Sequence, residues 1–143
     1  MHTEQTTTRI PTRAATEQVI SLYLAAVQRG DLHAAYAFFA QDMVAHVPGR
    51  SALAGELRGR DAMIAYIEHA RAASHGADIQ LELVDMLSSE KRVMLLVHER
   101  FARPSRVVEI RRANVYTIER GQIVEIRIFE ADQYTVDELL THA

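Results

Sequence analysis

The sequence predicts an α+β fold in which helices pack on a strongly curved antiparallel sheet around an interior pocket. Apolar residues recur at helical spacing through the first half of the chain. β-Branched and aromatic runs separated by turn residues fill the second half. Helices followed by a strand meander place the helices on one face of an antiparallel sheet. The length of 143 residues suits one domain, able to bury roughly 70% of the surface its unfolded chain exposes.

Residues 1–15 are polar and Thr-rich without an apolar stretch, and read as a flexible leader to a domain over 16–143. Thr16 with Glu17 reads as a helix N-cap with an acid in the first turn. Val19, Leu22, Tyr23 and Ala26 then form one buried helical stripe that Gly30 ends. Asp31 caps a second, shorter helix through Ala34, Phe38 and Phe39. Met43 to Val47 is a short strand stopped by Pro48-Gly49, and Arg50 to Gly59 reads as a loop punctuated by Gly55 and Gly59. A third helix runs from about Asp61 to Ser74, with Met63, Tyr66, Ile67 and Ala70 on one face. Strands follow at Ile79 to Leu87, Val93 to Ala102, Val107 to Ile118 and Ile123 to Ala131, and Asp132 stands at the turn into a C-terminal helix.

Composition narrows the function classes. A net charge of −3, with bases and acids interleaved, argues against a nucleic-acid surface. No apolar run approaches the roughly 18 residues of a membrane span. The absence of cysteine removes disulfide and thiolate chemistry and fits a reducing cytoplasm. The seven histidines fall at no zinc-binding spacing, and neither a Gly-rich phosphate loop nor a serine nucleophile elbow is present, so no metal and no cofactor is expected.

Hairpin register decides which polar groups are buried. A three-residue loop at Glu119-Arg120-Gly121, with Gly121 left-handed, pairs Asn114 with Ile126, Arg112 with Ile128, Tyr116 with Val124 and Ile110 with Glu130. Pro104 forbids a primed two-residue turn, so a four-residue loop Arg103 to Arg106 pairs Phe101 with Val108 and Glu99 with Ile110. One face then carries Leu95, Val97, Phe101, Val108, Ile110, Tyr116, Ile126 and Ile128. Glu99, Arg112, Asn114 and Glu130 share it, and buried ionisable groups must be paired, hydrated or shifted in pKa. The opposite face carries His98, Arg100, Glu109, Arg111, Glu125 and Arg127, with Arg100 and Glu109 as a cross-strand pair. Polar groups on the covered face suggest a polar-lined cavity, and a structural ion pair of Arg112 with Glu99 or Glu130 is the competing reading.

The run Tyr23-Leu24-Ala25-Ala26-Val27-Gln28-Arg29-Gly30-Asp31-Leu32, then Phe39-Ala40-Gln41-Asp42, resembles the nuclear transport factor 2-like superfamily. His46-Val47-Pro48-Gly49-Arg50, Leu57-Arg58-Gly59-Arg60-Asp61-Ala62 and Gly121-Gln122-Ile123-Val124-Glu125 are similar to its SnoaL-like and ketosteroid isomerase-like branch. The resemblance spans about residues 16–135. It implies a cone of helices against a bent sheet with a pocket inside, often homodimeric through the outer sheet face. One fold hosts many activities, so it carries little about chemistry.

In ketosteroid isomerases, a worked example of carboxyl tuning, a helix tyrosine and a protonated acid on a late strand stabilise a dienolate. Tyr23 falls at the tyrosine position and Asn114 at or beside the acid position, where an amide also donates a hydrogen bond. The family's base, an aspartate before a proline, is replaced by Val47 before Pro48. A base could instead come from Glu130, favoured for its inward position, or from His46, which strand alternation turns away unless the chain is irregular before Pro48. Asp132 shares the face of Glu130. Tyr36, Phe38 and Phe39 read first as packing residues. Phe39 also joins Val47, Val97, Glu99, Phe101, Arg112, Tyr116, Ile126, Ile128 and Asp132 in the expected substrate-binding set.

The expected function is therefore a cofactor-independent isomerase or cyclase acting by proton transfer on a small, mostly apolar carbonyl compound. A non-catalytic ligand-binding or dimerisation module is the rival that Val47 supports. Water addition or epoxide opening, using Glu99, Arg112 and Glu130 to activate a water, is a third reading.

Overall fold

Thr12, not Thr16, starts the first helix. Its hydroxyl accepts from the amide of Ala15 at 3.0 Å, and α1 runs over Arg13–Gln28. Thr16 is instead buried inside α1, its one hydroxyl proton shared between the carbonyls of Ser89 at 2.7 Å and Arg13 at 2.9 Å, which ties the helix to a sheet turn. The computed structural model describes residues 11–73 and 78–141, so most of the expected leader lies outside the described residues, while its last residues are helical. Gly30 follows α1 at φ 77°, and Asp31 caps α2 (Leu32–Tyr36) by accepting from the amide of Ala34 at 3.2 Å. Phe39 belongs to no helix and opens strand β1 (Phe39–Val47).

Part of the segment expected to be a loop is strand β2 (Gly55–Arg58), paired antiparallel to β1 at the sheet edge. Only Leu57 of its four residues is packed on the core, too little for a period-two signal between Gly55 and Gly59. Helix α3 (Arg60–Ala72) follows, then β3 (Asp78–Ser88), β4 (Arg92–Arg103), β5 (Arg106–Glu119), β6 (Gln122–Glu130) and α4 (Gln133–Thr141).

The six strands lie in the order β2-β1-β6-β5-β4-β3 and do not close. The sheet is mixed, because β1 runs parallel to β6. Local hairpin signals cannot show this pairing. β1 meets β6 only after the chain has passed through α3 and the whole meander, the long crossover that a parallel pair requires. Register shifts within the β1·β6, β3·β4 and β5·β6 pairs bend the strands over the helices.

The β4·β5 register is the expected one, pairing Phe101 with Val108 and Glu99 with Ile110. Strand pairing continues to Arg103 and Arg106, leaving Pro104-Ser105 as the connection without positive φ. The β5·β6 register differs. Arg120 at φ 53° and Gly121 at φ 75° form a two-residue primed turn, and a bulge follows between Thr117 and Ile118. Together they displace the ladder by two positions, so Arg112 stands opposite Glu130, Asn114 opposite Ile128 and Tyr116 opposite Ile126. A displacement of two leaves every side chain on its expected face.

The covered face holds two apolar clusters. The larger includes Ile20, Tyr23, Leu24, Phe39, Met43, Leu95, Val97, Tyr116, Ile126 and Ile128. The smaller joins Phe101, Val108 and Ile110 to Val136, Leu139 and Leu140 of α4.

Candidate functional site

On β5, Ile110, Arg112, Asn114 and Tyr116 point inward at alternate positions. Ile110 belongs to the smaller cluster and Tyr116 to the larger, so Arg112 and Asn114 lie where the two meet. Arg112 donates from Nε to Oε1 of Glu130 at 3.1 Å and pairs through Nη2 with its Oε2 at 3.1 Å. A third bond runs from Nη1 to Oε1 of Glu99 at 3.1 Å. The guanidinium thus bridges carboxylates from the strands on either side of its own.

The two carboxylates are not equivalent. The Glu130 side chain is 2% exposed and gives both oxygens to Arg112. The Glu99 side chain is 18% exposed and engages only Oε1. Burial pushes the Glu130 carboxyl above the ordinary carboxylate range, against the opposing pull of Arg112. The Arg112 guanidinium pays for burial but is held more firmly protonated by Glu99 and Glu130.

A cavity of about 190 Å³ opens beside this triad, between α3, α4 and the outer ends of β3, β4 and β5. Glu99 and Arg112 form its polar side, and Phe101, Ile110 and Val136 are among its apolar walls. Tyr66 of α3 also lines it, its phenol pushed up by burial and sensing Arg112, Glu130 and Glu99.

Behind Arg112 lies an aromatic cluster. The Tyr23 ring lies 5.6 Å from Phe39 and 5.9 Å from Tyr116, both tilted. Asn114 donates from Nδ2 to the Tyr116 hydroxyl at 3.4 Å, and its buried Oδ1 has no hydrogen-bond partner among the described residues. Burial drives the Tyr116 phenol up to about 12, the Asn114 bond opposing, and drives Tyr23 well above its usual value. Both phenols are therefore proton donors near neutrality, not bases.

The fold thus divides the expected residues into groups. Glu99, Phe101 and Arg112 line the cavity, and Glu130 backs it. Tyr23, Phe39, Asn114 and Tyr116 form the deeper cluster. Val47, Val97, Ile126 and Ile128 are buried core side chains and do not line the cavity.

His46 and Asp132 join neither group. Alternation turns His46 to the outer sheet face, where Nε2 meets Oε2 of Glu125 at 2.9 Å. Burial raises the Glu125 carboxyl, but the His46 bond and Arg127 outweigh it and leave the carboxyl below its usual range. Asp132 is exposed at the start of α4, accepting from the Thr135 amide at 3.2 Å and the Thr135 hydroxyl at 2.7 Å. On the outer face, Glu109 lies opposite Arg100 in the ladder but meets His98 at 3.2 Å instead.

Tyr66 and the α4 wall of Val136, Leu139 and Leu140 line the cavity without being among the expected site residues. The i, i+3, i+4 spacing of the α4 residues is the signal that reveals its apolar face. Nothing local distinguishes Tyr66 from packing residues on the same helical face.

The family model for a SnoaL-like domain matches residues 20–126. The chain belongs to the SnoaL-like family. An uncharacterized Mycobacterium tuberculosis protein is 36% identical over 109 residues, covering 76% of this chain and 82% of its own. Among solved structures, Bal32a from a soil-derived mobile gene cassette superposes with a TM-score of 0.80 at 23% identity, covering 90% of this chain and 98% of that one. An NTF2-like protein of Burkholderia xenovorans gives 0.71 at 21% identity, covering 91% and 98%. These likenesses establish the cone fold of the nuclear transport factor 2-like superfamily for this SnoaL-like domain.

Proposed function

We propose that this SnoaL-like domain is a cofactor-independent isomerase or cyclase that moves a proton on a small, mostly apolar carbonyl compound. The observation that carries the reading is the inequality of the two carboxylates. Glu130 clamps Arg112 with both oxygens, while Glu99 keeps one oxygen uncommitted at the cavity wall. In this reading Glu99 takes the proton α to the carbonyl. Arg112, with three of its N–H bonds committed and two remaining, and Tyr66 donate to the oxygen that becomes negative. The base role thus passes from Glu130 to Glu99, and Tyr23 and Asn114 support the floor from behind.

The test is solvent deuterium exchange α to the carbonyl of small cyclic ketones, followed by NMR. Exchange should depend on the protein and fall about 100-fold or more in Glu99→Gln, the usual scale for a lost general base. If exchange is absent with every ketone, or unchanged in Glu99→Gln, the reading fails and a binding module replaces it. The same carboxylate oxygen also suits activation of water. Incorporation of oxygen-18 from labelled water into an epoxide-derived diol would favour that second reaction.

We further place a homodimer contact on the outer sheet face, where Phe129, Val107 and Leu87 are exposed. Among the described residues no helix is long and apolar enough to cross a membrane. The cysteine-free composition supports a cytoplasmic site of action.

A further inference from the structure

We infer that the cavity takes an uncharged molecule of one ring, about six to ten non-hydrogen atoms, that carries a polar oxygen directed at Arg112. This names the ligand class for the reading above and rests on the same cavity. Size is the first argument. The cavity measures about 190 Å³, and an apolar protein cavity of about 150 Å³ accommodates benzene. Its inner end is stopped by the Glu99–Arg112–Glu130 bridge, and the space behind is occupied by Tyr23, Phe39 and Tyr116. A second fused ring must either press on Phe101 and on Leu139 of α4 or project from the open side of the cavity, where it gains little burial.

Charge is the second argument. Arg112 already faces two carboxylates, so its positive charge is matched before any ligand enters. Arg71, the other cation at the wall, also has an interaction of its own. An anionic ligand must compete with Glu99 for Arg112 while lying beside the Glu99 carboxylate, and a buried like-charge contact is unfavourable. A neutral carbonyl or hydroxyl needs only the N–H bonds that Glu99 and Glu130 leave uncommitted.

Three probes separate the arguments: benzamide, its anionic counterpart benzoate, and the two-ring 2-naphthamide. Titration calorimetry on the full chain should give benzamide a Kd at least tenfold below both others. Equal or tighter binding of benzoate overturns the charge argument. Equal or tighter binding of 2-naphthamide overturns the size argument, and binding by none of the three overturns the inference. Leu139→Ala enlarges the wall and should bring 2-naphthamide at least level with benzamide, with Phe101→Leu as the second variant if Leu139→Ala misfolds. A folded variant that leaves the discrimination unchanged shows that the cavity does not set it. Turnover enters none of these measurements. Loss of ketone exchange with this binding pattern intact sinks proton transfer and leaves the ligand class standing; the reverse result sinks the ligand class alone.

Discussion

Arg112 and Glu130 stand directly opposite one another on β5 and β6 and are joined by two parallel contacts of 3.1 Å each. The pair is enclosed, and Glu99 leans on it from β4 with one further bond. Removing the cation leaves two carboxylates inside the cone without a partner. Arg112→Met should therefore cost roughly 3–5 kcal/mol at neutral pH, the range for breaking a buried pair by deleting one member. The orphaned carboxyls then hold protons more tightly when folded than when unfolded. Chemical denaturation should show the variant recovering part of its stability as pH is lowered to about 5. A variant that loses less than 1 kcal/mol, or is weakened further on acidification, shows that the bridge is not a structural element.

The native protein carries a milder form of the same dependence. Burial raises the Glu130 carboxyl above its ordinary 4.5 despite Arg112. A raised folded-state pKa contributes stability that is full below the unfolded value and is lost as pH rises through the folded value. Glu125 and Asp132 are shifted the other way and contribute stability that is lost in acid. Subtracting the Glu130→Gln stability curve from the native curve cancels those two. The difference should fall as pH rises above the ordinary carboxylate value. A difference that grows with pH shows instead that Glu130 is depressed by Arg112, and that the ion pair outweighs burial.

The bridge is legible in the sequence through sidedness rather than through register. The expected three-residue loop misplaced the β5·β6 ladder, yet the displacement was two residues, and strand alternation has a period of two. Glu99 has its expected partner Ile110, whereas Arg112, Asn114 and Glu130 lie on the expected face opposite other residues than expected. Alternation also turned His46 outward, as observed. What stayed hidden was non-local. The parallel β1·β6 pairing and the approach of Tyr66 to Arg112 are each made by segments far apart in the chain. The cap at Thr12 was missed because Thr16, also followed by an apolar stripe, offers the same local signal.

Gly49 couples the cavity wall to the rest of the fold. It sits at φ 106°, and a Cβ there would collide with the side chains of Asp137 and Gln133. Those residues anchor α4: Asp137 accepts from the Arg50 amide at 3.1 Å, and Gln133 donates to the Pro48 carbonyl at 3.4 Å. Gly49→Ala should cost at least about 1–2 kcal/mol from backbone conformation alone. It should also loosen α4, raising amide exchange at Val136 and Leu139 ahead of exchange in β4 and β5. Uniform acceleration across the chain would instead mean that α4 is not separately anchored.

Phe129 provides the check on assembly. The residue is 55% exposed on the outer sheet face, opposite Ala113, which in turn lies opposite Leu96. Leu87 extends the apolar surface to β3, while Glu125, Arg127 and Glu109 supply charge around it, with His46 and His98 beside them. An apolar centre with a polar rim is the arrangement of a protein interface. Two copies related by a twofold axis would bring the Phe129 rings into the same buried centre. Phe129→Glu should therefore convert a dimer to a monomer in sedimentation velocity without lowering monomer stability, because the side chain contributes little to the core. A native chain that sediments as a monomer at high micromolar concentration, or a Phe129→Glu variant that remains dimeric, places the contact elsewhere.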